Sequence, residues 1–451
     1  MEILIVGAGI AGLSTSIALS HALKNVASCQ PLKIIVLESA SALAEIGAGV
    51  QMTPQAIKNF FAWGMKDDLL SSSAIPTSMN VRHGPSGDII GKIPIGDLEQ
   101  DYQAPYLVVH RAVLHSILHS HALKAGVEVR TNSRVTEYGF ETATVTLADG
   151  TTRTADLIIA ADGINSLARK QFLGPDDPGA LPTGWAAFRM ICSADAIKAD
   201  ASVAPLLEGY GSNLWIDHNV SCMTYLIKDS TMLNIVLSHR DDVETQDWTP
   251  EYHKTYVDGL FKEFDPRVKK LIDMAVPKIV NYPVYAVPPL KKWIHDSGRF
   301  VLLGDATHAM AFYLSMGVSL AVDDAASLGE ALRLALSEPD VVQTKEGKYA
   351  RMKKALHVFE QVRIPRASSI QAASLHAGGI LHMPPGPDRE LRDEGLRHCD
   401  QYWPVEPACE DERRDFERVR SCMYGIADKR TRDWCYGYDS ADAIRGVWRS
   451  Q

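Results

Sequence analysis

Short runs of consecutive apolar residues mark the buried strands that this chain predicts. They cover residues 2–6, residues 33–37, a run that ends at Asp162, and residues 300–303. Between residues 174 and 289 the pattern changes to alternating polar and apolar positions, which predicts mostly antiparallel strands. One helix is expected among them, from Pro250 to Phe264 with Thr249 as its cap. The chain is therefore predicted to be an α/β protein with two different sheets.

Alternation and turn signals predict further elements. Alternating runs within residues 75–109 and 127–147 predict strands, and Ala-Asp-Gly at residues 148–150 predicts a hairpin turn. An apolar stripe predicts a helix over residues 110–123.

The tail from about residue 338 is predicted to form helices and loops. Pro365 and the proline-rich residues 383–388 are expected to end helices there. The charged run at residues 410–420 predicts a solvated helix face.

The first predicted strand leads into a glycine motif, GAGIAG, at residues 7–12, and a helical pattern follows. In such a turn Gly7 permits a tight bend, Gly9 lets a pyrophosphate approach the backbone, and Gly12 allows close packing of helix on strand. The helix N-terminus offers free N–H groups and the positive end of its dipole to phosphates. The motif therefore predicts a dinucleotide site.

Glu38 ends the second predicted strand, where a carboxylate can accept hydrogen bonds from ribose hydroxyls. The polar stretch at residues 24–31 predicts a loop insertion that lengthens the gap from the motif to Glu38. A glycine-rich turn without a ligand is the structural alternative.

Charge and composition exclude several classes of partner. The formal net charge of −9 argues against nucleic acid or an anionic membrane as the main partner. No apolar run is long enough for a transmembrane helix. Because the first core strand begins at residue 2, we expect no signal or transit peptide.

Cysteine and histidine usage indicates neither disulfides nor a metal. The seven cysteines are scattered without a CxxC pair, which favours a reduced, cytosolic protein with buried thiols. Four histidines of the predicted helix lack acidic or cysteine partners at ligand spacing. We therefore expect a polar helix face from His110, His115, His119 and His121.

The segment EIGAGVQMTPQA at residues 45–56 follows this unit. Taken with the glycine motif and Glu38, it resembles the single-component (group A) FAD-dependent aromatic hydroxylases. The closest branch is the salicylate hydroxylase-like flavoprotein monooxygenases, with their fungal-type relatives. The resemblance implies the aromatic hydroxylase fold, in which a Rossmann-like FAD-binding domain is interleaved with a mostly antiparallel β-sheet substrate domain and followed by C-terminal helices.

The same resemblance implies how the chain is divided. The expected parts are an FAD-binding domain at residues 1–74, 110–174 and 291–337, a substrate domain at residues 75–109 and 175–290, and a C-terminal helical region at residues 338–451.

The resemblance also implies which residues hold FAD. Besides Gly7, Gly9, Ala11, Gly12 and Glu38, they are Gly49 and Val50 of a second glycine-containing loop, Arg111 near the phosphate and ribityl portion, Asp162 near flavin and nicotinamide nucleotides, Asp305 on the ribityl chain, and Gly317 and Val318 near the flavin pyrimidine edge. The helix dipole at Gly317 would stabilise negative charge on reduced flavin. Arg111 as a solvated helix cap and Asp162 as an N-cap are the structural alternatives.

Two polar side chains stand within the otherwise apolar strands of the expected substrate domain. Arg189 and Tyr225 match an arginine and a tyrosine of the family, with Leu226 in place of a proline. The resemblance implies that both are catalytic, binding a phenolate or carboxylate and raising electron density in the ring. Arginine suits this role because it stays charged and offers a planar fork of donors. An exposed arginine paired with an acid, and a core tyrosine, are the structural alternatives.

The segment before Gly317 departs from the family pattern. Phe312 occupies the place of a proline that lies over the flavin, and Met316 the place of a glutamine. These changes concern oxygen activation and flavin movement rather than FAD binding.

The implied activity is that of an FAD-dependent monooxygenase that consumes NADPH or NADH, bound transiently, and O2. A C4a-hydroperoxyflavin would transfer oxygen to an electron-rich aromatic substrate, phenolic or benzoate-like, or to a related natural product. The alternatives are a divergent flavoenzyme (an oxidase, an epoxidase, or a dearomatising or rearranging oxygenase), which Phe312 and Met316 favour, and a redox-silent FAD-bound protein. A cytoplasmic monomer or homodimer is expected.

Overall fold

The computed structural model describes residues 1–43, 49–227, 230–245, 247–275, 280–338, 344–397 and 425–451. The loop at residues 46–48 and the charged run at residues 410–420 lie outside the described residues. The strands are β1 (Glu2–Val6), β2 (Lys33–Leu37), β3 (Gly49–Met52), β4 (Ser73–Ala74), β5 (Ser78–His83), β6 (Ile89–Pro94), β7 (Leu107–His110), β8 (Glu128–Arg130), β9 (Val135–Gly139), β10 (Thr144–Leu147), β11 (Thr152–Thr154), β12 (Leu157–Ala160), β13 (Leu181–Ser193), β14 (Ser212–Asp217), β15 (Val220–Ile227), β16 (Met232–Arg240), β17 (Val280–Ala286) and β18 (Phe300–Leu302).

The helices are α1 (Ile10–Leu23), α2 (Pro54–Ala62), α3 (Lys66–Ser72), α4 (Leu98–Tyr102), α5 (Arg111–Lys124), α6 (Leu167–Leu173), α7 (Ala194–Lys198), α8 (Pro250–Leu260), α9 (Pro266–Met274), α10 (Asp305–His308), α11 (Gly317–Leu336), α12 (Lys345–Leu381), α13 (Pro387–Arg397), α14 (Lys429–Tyr436) and α15 (Ser440–Arg449). Among the described residues, no helix has both the length and the apolar character needed to cross a membrane.

The predicted buried strands assemble into one parallel sheet, in the order β18-β12-β1-β2-β8. In its central strand Ile3, Leu4 and Ile5 are fully buried, as expected for a parallel strand covered on both faces. Helix α1 connects β1 to β2 and packs against α11. The predicted βαβ unit is confirmed.

The alternating segments form a seven-stranded sheet, in the order β17-β13-β16-β15-β14-β5-β6. Apart from the parallel pair β14–β5, its neighbouring strands are antiparallel, which confirms the predicted mostly antiparallel sheet. Arg189 lies opposite Val236, and Val236 lies opposite Met223. Residues in such a row share one face of the sheet, so three strands present these side chains to the same side.

The strands predicted within residues 75–109 divide between two sheets. β5 and β6 join the seven-stranded sheet, whereas β7 pairs with β3 and β4. The predicted hairpin turn at residues 148–150 is confirmed, because β10 and β11 pair across it.

The predicted helix capped by Thr249 is confirmed as α8, but the expectation of a single helix within residues 174–289 is wrong, because α7 and α9 also lie there. Each begins at a residue whose side chain accepts a hydrogen bond from a backbone N–H of the first turn: Ser193, Thr249 and Asp265. Asp265 is followed by Pro266, and this order of cap and proline is the signal that favours α9.

Helix α12 contradicts the expectation that Pro365 ends a helix. Proline inside a helix costs about 3 kcal/mol because it lacks an N–H and clashes with the preceding turn. On either side of it, the buried Arg363 and Arg366 reach Asp324 at 2.8 Å and Asp323 at 3.8 Å on α11. Both halves of α12 also pack against α11 through buried side chains, and this tertiary packing offsets the local cost. The breaker at residues 383–388 is confirmed, since it separates α12 from α13.

Candidate active site

A cavity of about 510 Å³ lies between the parallel sheet and one face of the seven-stranded sheet. Its first part is formed by turns and helix N-termini at the parallel sheet, including Gly9, Ile10, Arg111, Gly163, Asp305 and Gly317. Its second part is mostly apolar and includes Met79, Val81, Leu214, Met223, Val236 and Leu381. A single cavity therefore joins the predicted dinucleotide turn to the sheet that carries Arg189 and Tyr225.

The glycines of the turn after β1 have different reasons to be glycine. Gly7 has a φ of +103°, and an added Cβ would lie 2.4 Å from the carbonyl oxygen of Ala161. A Cβ on Gly12 would lie 1.9 Å from the carbonyl oxygen of Gly7. Gly9 has a φ of −72°, and its Cβ would meet no atom within 4 Å. Packing requires Gly7 and Gly12, whereas the space beside Gly9 is free for a ligand.

The N-terminus of α1 opens into the cavity. No side chain caps this helix, and its first residues Ile10 and Ala11 line the cavity. Glu38 stabilises the same turn, because its Oε2 accepts a hydrogen bond from the backbone N–H of Ala8 at 2.9 Å. Its Oε1 accepts from the backbone N–H of Ala40 at 2.8 Å. Unpaired N–H groups at a helix N-terminus suit a phosphate.

Asp305 lies directly after the turn that ends β18. Its side chain is exposed toward the cavity and has no hydrogen-bond or ion-pair partner among the described residues. Gly317, the first residue of α11, also lines the cavity, and a Cβ there would meet no atom within 4 Å. Val318 follows it in the lining. At both Gly9 and Gly317, therefore, the protein leaves space beside the backbone.

A buried charge network fixes the turn that carries Asp305. Asp324 Oδ2 accepts from the N–H of Gly304 at 3.0 Å and from His308 Nε2 at 2.7 Å, while Oδ1 accepts from Arg363 Nε at 2.8 Å. Burial opposes ionisation, but His308 and Arg363 outweigh it and hold the pKa of Asp324 below its ordinary value. No motif in the sequence marks Asp324.

Arg111 and Asp162 are placed differently. Arg111 is the first residue of α5 and lines the cavity. The carboxylate of Asp162 accepts hydrogen bonds from Ser166 Oγ and from the N–H of Ala168 at 3.0 Å. Asp162 therefore contacts the first turn of α6, although the N-cap of that helix is Ser166, and the neighbouring Gly163 lines the cavity.

Tyr225 is buried against β3. Its hydroxyl donates to the carbonyl oxygen of Gly49 at 3.0 Å, and a Cβ on Gly49 would lie 2.3 Å from its ring. Burial raises the pKa of Tyr225 to about 12, although nearby Arg189 opposes this shift. The hydroxyl is therefore protonated at neutral pH. Gly49 and Val50 line the cavity beside it.

Arg189 lines the same cavity from β13. Its guanidinium lies 6.0 Å from the ring centre of Tyr282, and it forms no ion pair within the described chain. The alternative of an arginine paired with a nearby acid thus finds no acid among the described residues.

A polar cluster that no sequence motif marks lies on the same sheet face. Ser221 and Ser238 lie opposite each other on β15 and β16. The hydroxyl oxygens of Ser238 and Tyr313 are 2.8 Å apart, and His382 Nε2 is 2.9 Å from Ser221 Oγ. Ser221 precedes Tyr225 by four residues, so the period of two in a strand could have placed it on the same face. No sequence signal links His382 to it.

The two departures from the family pattern differ in exposure to the cavity. Phe312 lines it. Met316 is buried, with its sulfur 3.6 Å from Thr53 Oγ1 and 3.8 Å from Gln55 Nε2.

The described residues contain no group of three His, Cys, Asp or Glu side chains that could hold a metal ion. The expectation of a polar histidine face on α5 is wrong for His115, which is buried and lies 2.7 Å through Nε2 from the carbonyl oxygen of Ala8.

Known proteins resemble this chain in sequence and in fold. Residues 1–219 match the model of a family described as FAD binding domain. Over 443 residues the chain is 28% identical to the FAD-dependent monooxygenase OpS4 of Beauveria bassiana (strain ARSEF 2860), covering 98% of this chain and 95% of the relative. It is also 28% identical to the 3-hydroxybenzoate 6-hydroxylase of Polaromonas naphthalenivorans (strain CJ2) over 399 residues, 87% of this chain and 91% of the relative.

A solved structure described as a salicylate hydroxylase substrate complex superposes with a TM-score of 0.71 at 22% identity, covering 99% of this chain and 97% of that one. At this identity the likeness shows the shared fold. The chain is an FAD-dependent monooxygenase built on the aromatic hydroxylase fold. The family resemblance, the fold class, the enzyme class and the cofactor FAD are thereby confirmed. The domain boundaries and the roles of individual residues stay predictions.

Proposed function

We propose that the chain inserts one oxygen atom of O2 into an electron-rich aromatic ring that carries a phenolate or a carboxylate. The observation that carries the proposal is Arg189, a cation in the cavity lining without an ion pair among the described residues. A permanent charge beside apolar walls suits an aromatic anion. By its name, the 3-hydroxybenzoate 6-hydroxylase relative acts on such an anion.

The first part of the cavity fits FAD. At Gly9 and Gly317 no protein atom fills the space that a side chain would take. The backbone at these two places in the cavity is therefore open to a ligand. We assign Gly7, Gly9, Ala11 and Gly12 to the pyrophosphate, Glu38 to the adenosine ribose, Arg111 and Asp305 to the phosphate and ribityl portions, and Gly49, Val50, the backbone beside Asp162, Gly317 and Val318 to the surroundings of the flavin.

When bound, FAD supplies the redox chemistry, with NADPH or NADH as electron donor and O2 as oxidant. The chain supplies binding and orientation. Arg189 binds the anionic group, and Tyr225 lies one step along the same sheet face, because it is two residues from Met223 in the row of Arg189. The apolar lining around them excludes water from the reacting ring.

The activity test uses purified FAD-loaded enzyme with NADPH under air, with and without a panel of phenols and hydroxybenzoates. We expect NADPH consumption that the substrate stimulates and a product with one added oxygen atom. Peroxide formed in stoichiometric amounts without such a product would support an oxidase, the alternative favoured by Phe312 in the lining. A flavin that NADPH cannot reduce even with ligand present would contradict both.

Arg189→Ala is expected to weaken substrate binding about ten-fold to a hundred-fold, because a charge-assisted hydrogen bond contributes roughly 1.5–3 kcal/mol. FAD content should be unchanged. The measurement is the KM of the stimulated NADPH oxidation together with bound flavin per chain. Arg189→Lys is the control. It keeps the positive charge but loses the planar pair of hydrogen-bond donors of the guanidinium, and it should recover part of the affinity. Substrate turnover equal to that of the parent in Arg189→Ala would remove Arg189 from the substrate site.

Asp305→Ala is expected to yield mostly apoprotein. The exposed carboxylate lines the cavity and has no partner among the described residues, so its proposed partner is the ribityl chain of FAD. Flavin absorbance per chain after purification gives the result. Asp305→Asn, which keeps an acceptor oxygen of the same shape, should retain more FAD. A fully flavin-loaded Asp305→Ala protein would contradict the ribityl assignment.

The proposed compartment is the cytoplasm. Supporting it, the cysteines that the structure describes are all free and buried: Cys29, Cys192, Cys222 and Cys435.

A further inference from the structure

We propose that Ser221 and His382 form a recognition site for a hydrogen-bond donor, an O–H or N–H group of the aromatic substrate. The proposal rests on the proposed function, because it concerns the second part of the same cavity. Ser221 lines that cavity from β15, and the imidazole of His382, at the C-terminal end of α12, lies behind it. Ser221 Oγ and His382 Nε2 are 2.9 Å apart.

The contact made by the other ring nitrogen of His382, Nδ1, determines which of the two nitrogens is protonated. Nδ1 lies 2.6 Å from the carbonyl oxygen of Gly378, one turn earlier in α12. A carbonyl oxygen only accepts, so Nδ1 must donate and carries a proton. Burial, together with the positive charges of Arg240 and Arg392, lowers the pKa of His382 to about 4 although the Gly378 contact opposes this. At neutral pH the ring is neutral, and Nε2 is an acceptor.

This tautomer orients the hydroxyl of Ser221. Its proton is directed to His382 Nε2, because that atom has no proton of its own to donate. What Ser221 Oγ still offers is its lone pairs, and it has no further partner within the described chain. A serine is normally both donor and acceptor; here it can only accept, so a ligand group beside it must be a donor.

Stacking holds the imidazole in this orientation. His382 stacks on Trp185 with ring centres 4.2 Å apart, and the guanidinium of Arg240 lies 4.0 Å from the centre of the Trp185 ring. The ring of Tyr313 lies edge-on to His382 at 5.6 Å. A Cβ on Gly378 would lie 2.5 Å from the ring of Tyr313. The neighbouring rings therefore hold the imidazole in place, and its acceptor nitrogen does not depend on a mobile side chain.

The distance to Arg189 defines the ligand class. Ser221 lies opposite Ser238 and Arg189 opposite Val236, so the two cavity residues are two strands and two positions apart. With strands about 4.8 Å apart and about 3.3 Å per residue, their backbones are roughly 12 Å apart. An aromatic acid with an O–H or N–H at the far end of its ring spans this interval once the arginine side chain is included.

Three matched acids test the site in FAD-loaded enzyme: p-coumarate, p-methoxycinnamate and cinnamate. They share the carboxylate for Arg189, and only p-coumarate carries a donor. Dissociation constants are measured from the change in flavin absorbance on binding. We expect p-coumarate to bind about ten-fold to a hundred-fold more tightly than its methyl ether, because an acceptor-only site rejects an ether oxygen.

Three variants separate recognition from structure. Ser221→Ala should bring the ratio of the two dissociation constants close to one, and Ser221→Thr, which keeps the hydroxyl, should restore most of it. His382→Phe keeps an aromatic ring on Trp185 but removes the acceptor nitrogen, so Ser221 becomes free to donate. In that variant p-methoxycinnamate should bind more tightly than it binds to the parent, a gain that loss of packing alone would not give.

Equal affinity for p-coumarate and p-methoxycinnamate in the parent enzyme would overturn the proposal, as would failure of all three acids to bind. Nitrogen-15 NMR of His382 checks the tautomer without any ligand, and a protonated Nε2 at neutral pH would also overturn it. In these cases, substrate-stimulated NADPH consumption with oxygenated product would still uphold the proposed function, so the two failures are distinguishable.

Discussion

Replacing Asp324 with alanine is expected to destabilise the fold by about 3–5 kcal/mol, the cost of removing one partner from a buried ion pair. Arg363 would then be left fully buried without its carboxylate, and the N–H of Gly304 and His308 would each lose an acceptor. Because Gly304 directly precedes Asp305, FAD retention should fall as well. The measurement is the midpoint of urea unfolding, with bound flavin per chain recorded on the same preparations.

Asp195→Ala is the matched control. Asp195 forms an ion pair with Lys198, but both side chains are largely exposed, and such pairs contribute little to stability. Its unfolding midpoint and flavin content should equal those of the parent. If Asp324→Ala behaved like Asp195→Ala, the buried network would not be what holds the turn after β18.

Gly9→Ala is expected to fold normally and to lose FAD. The added methyl group would meet no protein atom within 4 Å, so the apoprotein should unfold at the parent's urea midpoint. It would occupy the space assigned to the pyrophosphate, and overpacking of this kind costs roughly 1–3 kcal/mol. The FAD dissociation constant, measured by flavin fluorescence titration of apoprotein, should therefore rise about ten-fold to a hundred-fold.

Gly12→Ala, in the same motif, should differ from Gly9→Ala in losing stability as well as FAD. Its Cβ would lie 1.9 Å from the carbonyl oxygen of Gly7, so folding itself should be damaged and FAD loss should follow from it. Unchanged FAD affinity in Gly9→Ala would show that no phosphate lies against this turn.

The parts of the fold that the sequence predicts well are those in which local pattern and tertiary structure agree. The apolar runs of β1 and β2 and the glycine motif between them encode a complete βαβ unit, because strand burial, turn geometry and helix packing are all local there. The same holds for Thr249-Pro250 at the start of α8, where the cap and the proline stand together.

Where tertiary contacts override local signals, the sequence misleads. Pro365 lies inside α12 because the helix packs against α11 on both sides of it, and the partners of Arg363 and Arg366 there are about forty residues away in the chain. His115 is buried because it contacts the carbonyl oxygen of Ala8, more than a hundred residues earlier. A helical periodicity contains no information about either partner.

The site residues also divide into those that a local motif marks and those that only the folded chain brings together. Gly9, Asp305 and Gly317 were singled out from short motifs and line one cavity. Ser221 and His382 are 161 residues apart, on elements that meet only in the folded chain, and no motif marks either. The side-chain contacts of Asp162 also depend on the following turn, which a motif match does not specify.

The central claim is that one cavity holds FAD at its glycine-lined end and an aromatic anion at Arg189. It is tested most directly by mass spectrometry of the product formed from a phenolic acid, NADPH and isotopically labelled O2 with FAD-loaded enzyme. We predict a product that gains one labelled oxygen atom only when NADPH is present. At a substrate concentration below the KM of the parent, Arg189→Ala should form about ten-fold to a hundred-fold less of it. Recovery of all NADPH electrons as hydrogen peroxide, with every acid of the panel returned unlabelled, would contradict it.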